Sequence, residues 1–288
     1  MAMVRIAIPN KGRLNQSSIG LMNRIGFPVP EASNRTLLAE FAKGRFQILL
    51  ARAQDIPEFV ELGAADLGIT GLDLVMETAR KVEQVMDLDY GRCRLVVAVP
   101  EESGVLRPED VKDGCTVATS FPRLTREYFA GLGKQVELAE VSGATEVAPN
   151  IGLADIVTDL IETGSTLKLN HLREIGTILE SRAVLIANPK ALEEKASRME
   201  EVTSAVRSVM NASKKRYLMA NVPKEKVPML DTLLPGVSGP TVMNIIGRED
   251  MVAIHAVTNE DEVNGVITML KSIGATGILV IPIERMVL

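Results

Sequence analysis

Residues 154–167 read Ala-Asp-Ile-Val-Thr-Asp-Leu-Ile-Glu-Thr-Gly-Ser-Thr-Leu. An apolar strand over 154–157 ends in the carboxylates of Asp155 and Asp159, and a hydroxyl-rich turn follows: Glu162, Thr163, Gly164, Ser165, Thr166, Leu167. Backbone N–H groups in such a turn can wrap a phosphate, and Thr and Ser hydroxyls add donors. Gly164 permits a tight backbone approach. The two carboxylates stand where they can accept hydrogen bonds from ribose hydroxyls. The plainer reading of the same residues is a capped junction between a strand and a helix.

Other strand ends carry related chemistry. Lys11, Gly12 and Arg13 follow an apolar run over 4–8, so two cations flank a glycine. Lys offers a compact charge and Arg a bidentate fork, both suited to phosphates, although a surface Lys-Gly-Arg turn is also common. Arg52 follows the run 46–51 in the same way. Gly71 ends the run 66–70, and Asp73 stands just beyond it, able to read a donor on a base or sugar or to complement a helix dipole. Ser120 sits at a strand-to-helix turn, able to donate to a phosphate or to cap the helix. His171 lies close behind the 163–167 turn and reads as a surface or capping residue, while His255 alternates with apolar residues inside a strand and reads as structural. Cys93 and Cys115 read as small buried residues.

These side chains need a scaffold that gathers strand ends. Short β-branched runs over 4–8, 46–50, 66–70, 95–100, 115–119, 136–141, 154–157 and 183–187 alternate with helical patterns. That alternation predicts a mainly parallel α/β sheet, whose ligands lie at the carboxyl ends of the strands. A long charged helix is predicted over 190–212. From 217 onward the order changes: strand 217–222, helix 224–233, strand 240–246, strand 252–257, helix 260–273 and strand 278–283. That is the βαββαβ order of a ferredoxin-like domain, with a boundary near 211–213.

The 288 residues carry 32 Lys+Arg against 37 Asp+Glu, a net charge of -5, which argues against a protein built to neutralise nucleic acid. Aromatics are 3% with no Trp, so a base-stacking platform is not expected. Basic strand ends in an acidic chain instead suggest a cleft that focuses positive potential on small polyanions. There is no GxxxxGK[ST] loop and no GxGxxG after a strand. Two cysteines and two histidines leave no disulfide framework or zinc site. No apolar run is long enough to span a bilayer and no signal peptide is visible, so a cytoplasmic location and no membrane partner are expected.

Five segments together resemble the long form of the ATP phosphoribosyltransferase family: "IAIPNKGRL", "RAQDIPEFVELGAADLGITGLDLV", "ATSFPRLTREYF", "ADIVTDLIETGSTLKLNHL" and "GATGILVIPIERM". They occur in order and cover nearly the whole chain. The resemblance implies a two-lobed α/β catalytic part similar to periplasmic binding proteins, with residues 1–93 and 182–211 as lobe I and 94–181 as lobe II. Residues 212–288 would form an ACT-like, ferredoxin-like regulatory domain. The implied reaction condenses ATP with 5-phosphoribosyl 1-diphosphate: adenine N1 attacks the anomeric carbon and diphosphate leaves. Mg²⁺ would ride on the diphosphate, and histidine would inhibit.

Carried over by motif, Glu162, Thr163, Gly164, Ser165, Thr166 and Leu167 match the loop for the ribose 5-phosphate, and Asp155 and Asp159 match acids near the ribose hydroxyls. Lys11, Gly12, Arg13, Arg52, Gly71, Asp73 and Ser120 match positions facing ATP and phosphates. No residue matches a required general base, and no metal ligand is assigned. Asn221, Val237, Gly239, Thr241 and Gly277 match the histidine pocket, with Asn221 where an acid is expected and Gly239 where some relatives have Ser. A pocket shared between neighbouring regulatory domains implies a homo-oligomer, dimer to hexamer. The rival reading is a two-lobed small-molecule binding module without catalysis, which the ACT-like appendage argues against. A catalytically dead relative would have lost the 163–166 loop or the basic strand ends, and both are intact.

Overall fold

Strands β1 (Val4–Pro9), β2 (Leu38–Phe41), β3 (Phe46–Ala51), β4 (Leu67–Gly71) and β5 (Glu83–Asp87) open the chain, with helices α1 (Asn15–Arg24), α2 (Ile56–Glu61) and α3 (Leu72–Thr78) between them. Next come β6 (Cys93–Pro100), β7 (Cys115–Thr119), α4 (Pro122–Gly131), β8 (Val136–Glu140), β9 (Ile156–Ile161), α5 (Ser165–Leu169) and β10 (Leu172–Ser181). Then follow β11 (Ala183–Ala187), α6 (Pro189–Glu194) and α7 (Ala196–Ala212). The last elements are β12 (Lys215–Pro223), β13 (Thr241–Ile245), β14 (Arg248–Asn259), α8 (Val263–Ser272) and β15 (Thr276–Pro282). The structure, a computed structural model, describes residues 3–29, 38–42, 44–230, 234 and 239–288.

The chain divides into two compact units, Met1–Asn23 with Phe27–Glu200, and Arg24–Gly26 with Glu201–Leu288. The first unit holds two sheets. One has the order β2-β3-β1-β4-β11-β5 and the other β10-β6-β9-β7-β8. Both are mixed: β3, β1 and β4 run parallel, as do β8, β7 and β9, while β2, β11, β5, β6 and β10 join antiparallel. This corrects the expectation of a mainly parallel sheet. The chain passes to the second sheet between β5 and β6 and returns at Arg182, so β11 enters the first sheet reversed against β4. Central strands β1, β4 and β11 are buried almost end to end, as strands covered on both faces must be.

The second unit contains an antiparallel sheet of order β13-β14-β12-β15. Leu218, Ala220, Val222, Val252, Ile254 and Ala256 point to one face and pack with Val266 and Leu270 of α8. Of the expected helix 224–233, a 3-10 turn at Lys224–Met229 is present and residues 231–233 lie outside the described residues. The helix expected over 190–212 is broken at Lys195, whose ammonium is drawn to the Asp66 carboxylate at 2.7 and 2.9 Å and to the Met3 carbonyl at 2.9 Å. The strand expected over 154–157 instead begins at Ile156 and runs to Ile161.

Candidate active-site cleft

Parallel pairing sets the carboxyl ends of β1, β3 and β4 along one edge of the first sheet. Lys11, Gly12 and Arg13 follow β1, Arg52 follows β3, and Gly71 ends β4 with Asp73 behind it. The Asn10 N–H donates to the Ala51 carbonyl at 2.7 Å and ties the first two loops together. Lys11 and Arg52 are exposed, without an ion-pair partner among the described residues. In the second sheet the same logic places Ser120 beyond β7 and the 162–166 loop beyond β9. Arg13 joins the two edges: its Nε lies 3.9 Å from Glu162 Oε1 and its Nη2 3.7 Å from Asp73 Oδ1.

Gly164 has φ +76°, a left-handed conformation that turns the chain from β9 into α5. Glu162, Thr163, Ser165 and Thr166 are exposed, and the Thr163 and Ser165 hydroxyls are 3.2 Å apart. The N–H groups of Ser165, Thr166 and Leu167 open α5 with no intrahelical acceptor, and no side chain among the described residues caps them. Leu167 is 3% exposed and sits among Val96, Val157, Ile161 and Leu172, so its side chain anchors the loop and only its backbone can face a ligand.

The two acids of this segment part company. Asp155 precedes β9, at the opposite end from the loop, and accepts the Thr116 N–H at 2.8 Å. It does not share a ribose site with the 162–166 turn, because the strand begins two residues later than its apolar pattern suggests. Asp159 lies inside β9, opposite Val96. Burial pushes its carboxyl up from 3.8 to about 6, the Leu160 N–H at 2.8 Å works against that, and Glu146 adds to it.

Asp73 departs from the sequence reading too. It is 1% exposed and cannot touch a base or sugar directly. Its N–H donates to Ser181 Oγ at 3.0 Å, and the Ser181 hydroxyl donates back to Asp73 Oδ1. Ser120 is exposed and caps nothing; Thr119 Oγ1 accepts the Phe121 N–H at 2.9 Å instead. Thr119, Thr125 and Thr158 are all fully buried and close a ring of hydroxyls with separations of 3.0, 2.7 and 2.6 Å. That ring clamps the start of α4 to β7 and β9. Across the cleft, the Glu77 carboxylate of α3 accepts the Arg123 and Leu124 N–H groups at the start of α4, at 2.8 and 3.0 Å. Ser181 and Glu77 carry no local signal, since their partners lie 108 and 46 to 47 residues away in sequence. His171 is exposed with φ +55°, and Cys93 is buried with its thiol pushed up by burial.

Among the expected regulatory positions, Asn221 and Thr241 share one sheet face, paired with Ala253 and His255 of β14. A Cβ on Gly277 would lie 3.2 Å from Asn221 Nδ2. Gly239 and Thr241 line a cavity of about 270 Å³ with Tyr217, His255 and the C-terminal Met286, Val287 and Leu288. The Tyr217 hydroxyl is hydrogen-bonded to His255 Nδ1. Val237 lies outside the described residues.

The ATP phosphoribosyltransferase (HisG) family model matches residues 52–208, and the model of the HisG C-terminal domain matches 212–285. An ATP phosphoribosyltransferase of Methanopyrus kandleri is 48% identical over 285 residues, covering 99% of this chain and 100% of the relative. One from Methanococcoides burtonii is 47% identical with the same coverage. The solved ATP phosphoribosyl transferase (HisG:HisZ) complex from Thermotoga maritima contains a chain with TM-score 0.65 and 27% identity, matching 73% of this chain and 99% of that one. The chain belongs to the ATP phosphoribosyltransferases, the enzymes of the first step of histidine biosynthesis, in the long form that carries the C-terminal domain.

Proposed function

We propose that the cleft between the two sheets of the first unit condenses ATP with 5-phosphoribosyl 1-diphosphate to N1-(5-phosphoribosyl)-ATP and diphosphate. In this reading residues 1–93 and 182–211 act as one lobe, 94–181 as the other, and 212–288 as the regulatory domain. The observation that carries it is Arg13, which stands between Asp73 of one sheet and Glu162 at the hydroxyl-rich loop of the other. The open N–H groups of Ser165, Thr166 and Leu167, with the Thr163 and Thr166 hydroxyls, hold the 5-phosphate. Asp159 orients the ribose hydroxyls. Lys11 and Arg52 face the phosphates of ATP, and Arg13 faces the departing diphosphate.

The bond formed joins adenine N1 to the anomeric carbon, and the bond broken releases diphosphate with its electron pair. N1 attacks through a lone pair and carries no proton, so no general base is needed. The chain's task is to align two polyanions and stabilise the leaving charge. Among the described residues no group of three or more His, Cys, Asp or Glu side chains could hold a metal. Mg²⁺ bound with the diphosphate would offset the leaving charge.

Histidine inhibition is assigned to the sheet face of Asn221, Gly239, Thr241 and Gly277. Met243, Leu279 and Ile281 on that face are 43, 56 and 45% exposed, which supports assembly into a homo-oligomer there. No helix of the described residues is long and apolar enough to cross a membrane, and the free thiols of Cys93 and Cys115 suit a cytoplasmic enzyme.

The test is an ultraviolet assay of adenine N1 ribosylation with ATP, phosphoribosyl diphosphate, Mg²⁺ and pyrophosphatase, with and without histidine. Turnover suppressed by histidine supports both units' roles. Turnover that histidine leaves untouched removes the effector from the Asn221 face, and no turnover leaves a binding module.

A further inference from the structure

We propose that Asp73 and Ser181 are positioning residues that fix the Arg13 guanidinium for the leaving diphosphate, rather than contacts of the nucleotide. The inference rests on Arg13 facing that diphosphate.

Asp73 is 1% exposed and does not reach a ligand, while Ser181, 4% exposed, borders a cavity of about 260 Å³ that Glu162 also lines. A carboxylate taken this far from water needs compensating partners. Asp73 has the Ser181 hydroxyl on Oδ1, and its own N–H returns to Ser181 Oγ at 3.0 Å. That reciprocal pair locks the side chain. Its remaining charge is turned toward Arg13, whose Nη2 lies 3.7 Å from Oδ1.

Two glycines make the arrangement possible. A Cβ on Gly71 would run into the Asp73 carboxylate, so only glycine lets the carboxylate fold back over the end of β4. A Cβ on Gly91 would overlap the Leu14 side chain and lie 3.4 Å from Arg13 Nη1, and Gly91 has φ +66°. The Gly91 carbonyl is the acceptor of Arg13 Nη1.

The guanidinium has one close hydrogen bond and two longer ion pairs. Nη1 is bonded to Gly91, and Nη2 is held electrostatically by Asp73. Nε meets Glu162 at 3.9 Å, beyond hydrogen-bond range. Arg13 is 23% exposed, and because neither carboxylate is within hydrogen-bond range of Nε or Nη2, those N–H groups can still bond an oxyanion. A planar fork works only when its orientation is set beforehand, and the Asp73–Ser181 pair sets it. The pair joins the start of α3 to the return crossing at Ser181, residues 108 apart in sequence.

The test is a double-mutant cycle on the full chain with Arg13→Ala, Asp73→Asn and both together. Two readouts are taken: kcat/KM with each substrate varied in turn, and calorimetric binding of inorganic pyrophosphate with Mg²⁺. Asp73→Asn is expected to lower kcat/KM for phosphoribosyl diphosphate and pyrophosphate affinity by roughly 10- to 100-fold. The KM for ATP should stay within about twofold, because uniform binding of that substrate is untouched. In the Arg13→Ala background the same change should add almost nothing. Ser181→Ala, which keeps both charges, should show the same pattern at smaller amplitude and covers the case in which Asp73→Asn fails to fold.

Equal losses from Asp73→Asn in both backgrounds would overturn the proposal, as would a selective rise in the KM for ATP, which would make Asp73 a nucleotide contact. If Arg13→Ala alone leaves turnover and pyrophosphate binding unchanged, Arg13 does not face the diphosphate, and the proposal falls with that reading.

Discussion

Asp159 offers a prediction in which stability and function move in opposite directions. Burial inside β9 raises its carboxyl to about 6 against 3.8 for the free side chain. Each factor of ten in that equilibrium is about 1.4 kcal/mol, so the ionised carboxylate costs the folded chain roughly 3 kcal/mol at neutral pH. The folded form binds this proton more tightly than the unfolded form does. Stability therefore falls as pH rises from 3.8 through about 6, and the cost is constant above that. Asp159→Asn removes the charge with little change of shape. It should raise unfolding free energy by roughly 2–3 kcal/mol at about pH 8, and the gain should shrink steadily between about pH 6 and pH 4. The measurement is urea denaturation of both proteins across that range. The same substitution should lower kcat/KM for phosphoribosyl diphosphate, since a ribose-orienting acceptor is lost. A pH-independent gain, or a loss of stability at pH 8, would refute the reasoning, because the carboxylate would then be neither buried nor strained.

Thr158→Val keeps the shape of the buried hydroxyl ring but leaves Thr119 and Thr125 each short of a partner. It should cost about 2 kcal/mol by urea denaturation, and an unchanged midpoint would mean that the ring is dispensable. Lys195→Met strips the ammonium from Asp66, a carboxyl only 8% exposed, and should destabilise the first unit by about 3 kcal/mol, with Asp66→Asn recovering most of that loss. Gly91→Ala must push the Leu14 side chain away and forces an alanine to φ +66°, so it should weaken pyrophosphate binding as well as stability, read by calorimetry and thermal unfolding.

Much of this architecture is legible in the sequence because its central strands are continuous apolar runs. Cys115–Thr119 and Ala183–Ala187 coincide with the runs that predict them. The expectation breaks down where burial is one-sided or interrupted. β5 reads Glu-Gln-Val-Met-Asp and lies at a sheet edge, so no hydrophobic period marks it. β10 carries register shifts between Glu174 and Gly176 and between Thr177 and Leu179, which scramble its alternation. β2 is four residues at the opposite edge. Strand direction was hidden for a different reason. A short apolar run looks the same whichever way it enters a sheet, and β11 is reversed only because the chain returns from the second sheet.

The cleft divides along similar lines. Lys11, Arg13, Arg52 and the Thr163–Thr166 turn announce themselves by residue type at strand ends. Asp73 was visible as an acid, but its burial was not, because Ser181 lies 108 residues away. Asp155 misleads because an acid just before a strand and one at its end look alike until the strand's start is known.

The central claim is that the 162–166 turn seats phosphoribosyl diphosphate. The direct measurement is calorimetric titration of that substrate with Mg²⁺, and of ATP separately, into the wild-type enzyme and Gly164→Val. The glycine holds φ +76°, which a β-branched side chain cannot adopt without strain, so the N–H groups of Ser165, Thr166 and Leu167 should lose their convergence. The expected result is a loss of roughly 100-fold or more in affinity for phosphoribosyl diphosphate, with ATP binding within about twofold of wild type. Unchanged binding of phosphoribosyl diphosphate in a folded Gly164→Val enzyme would contradict the account.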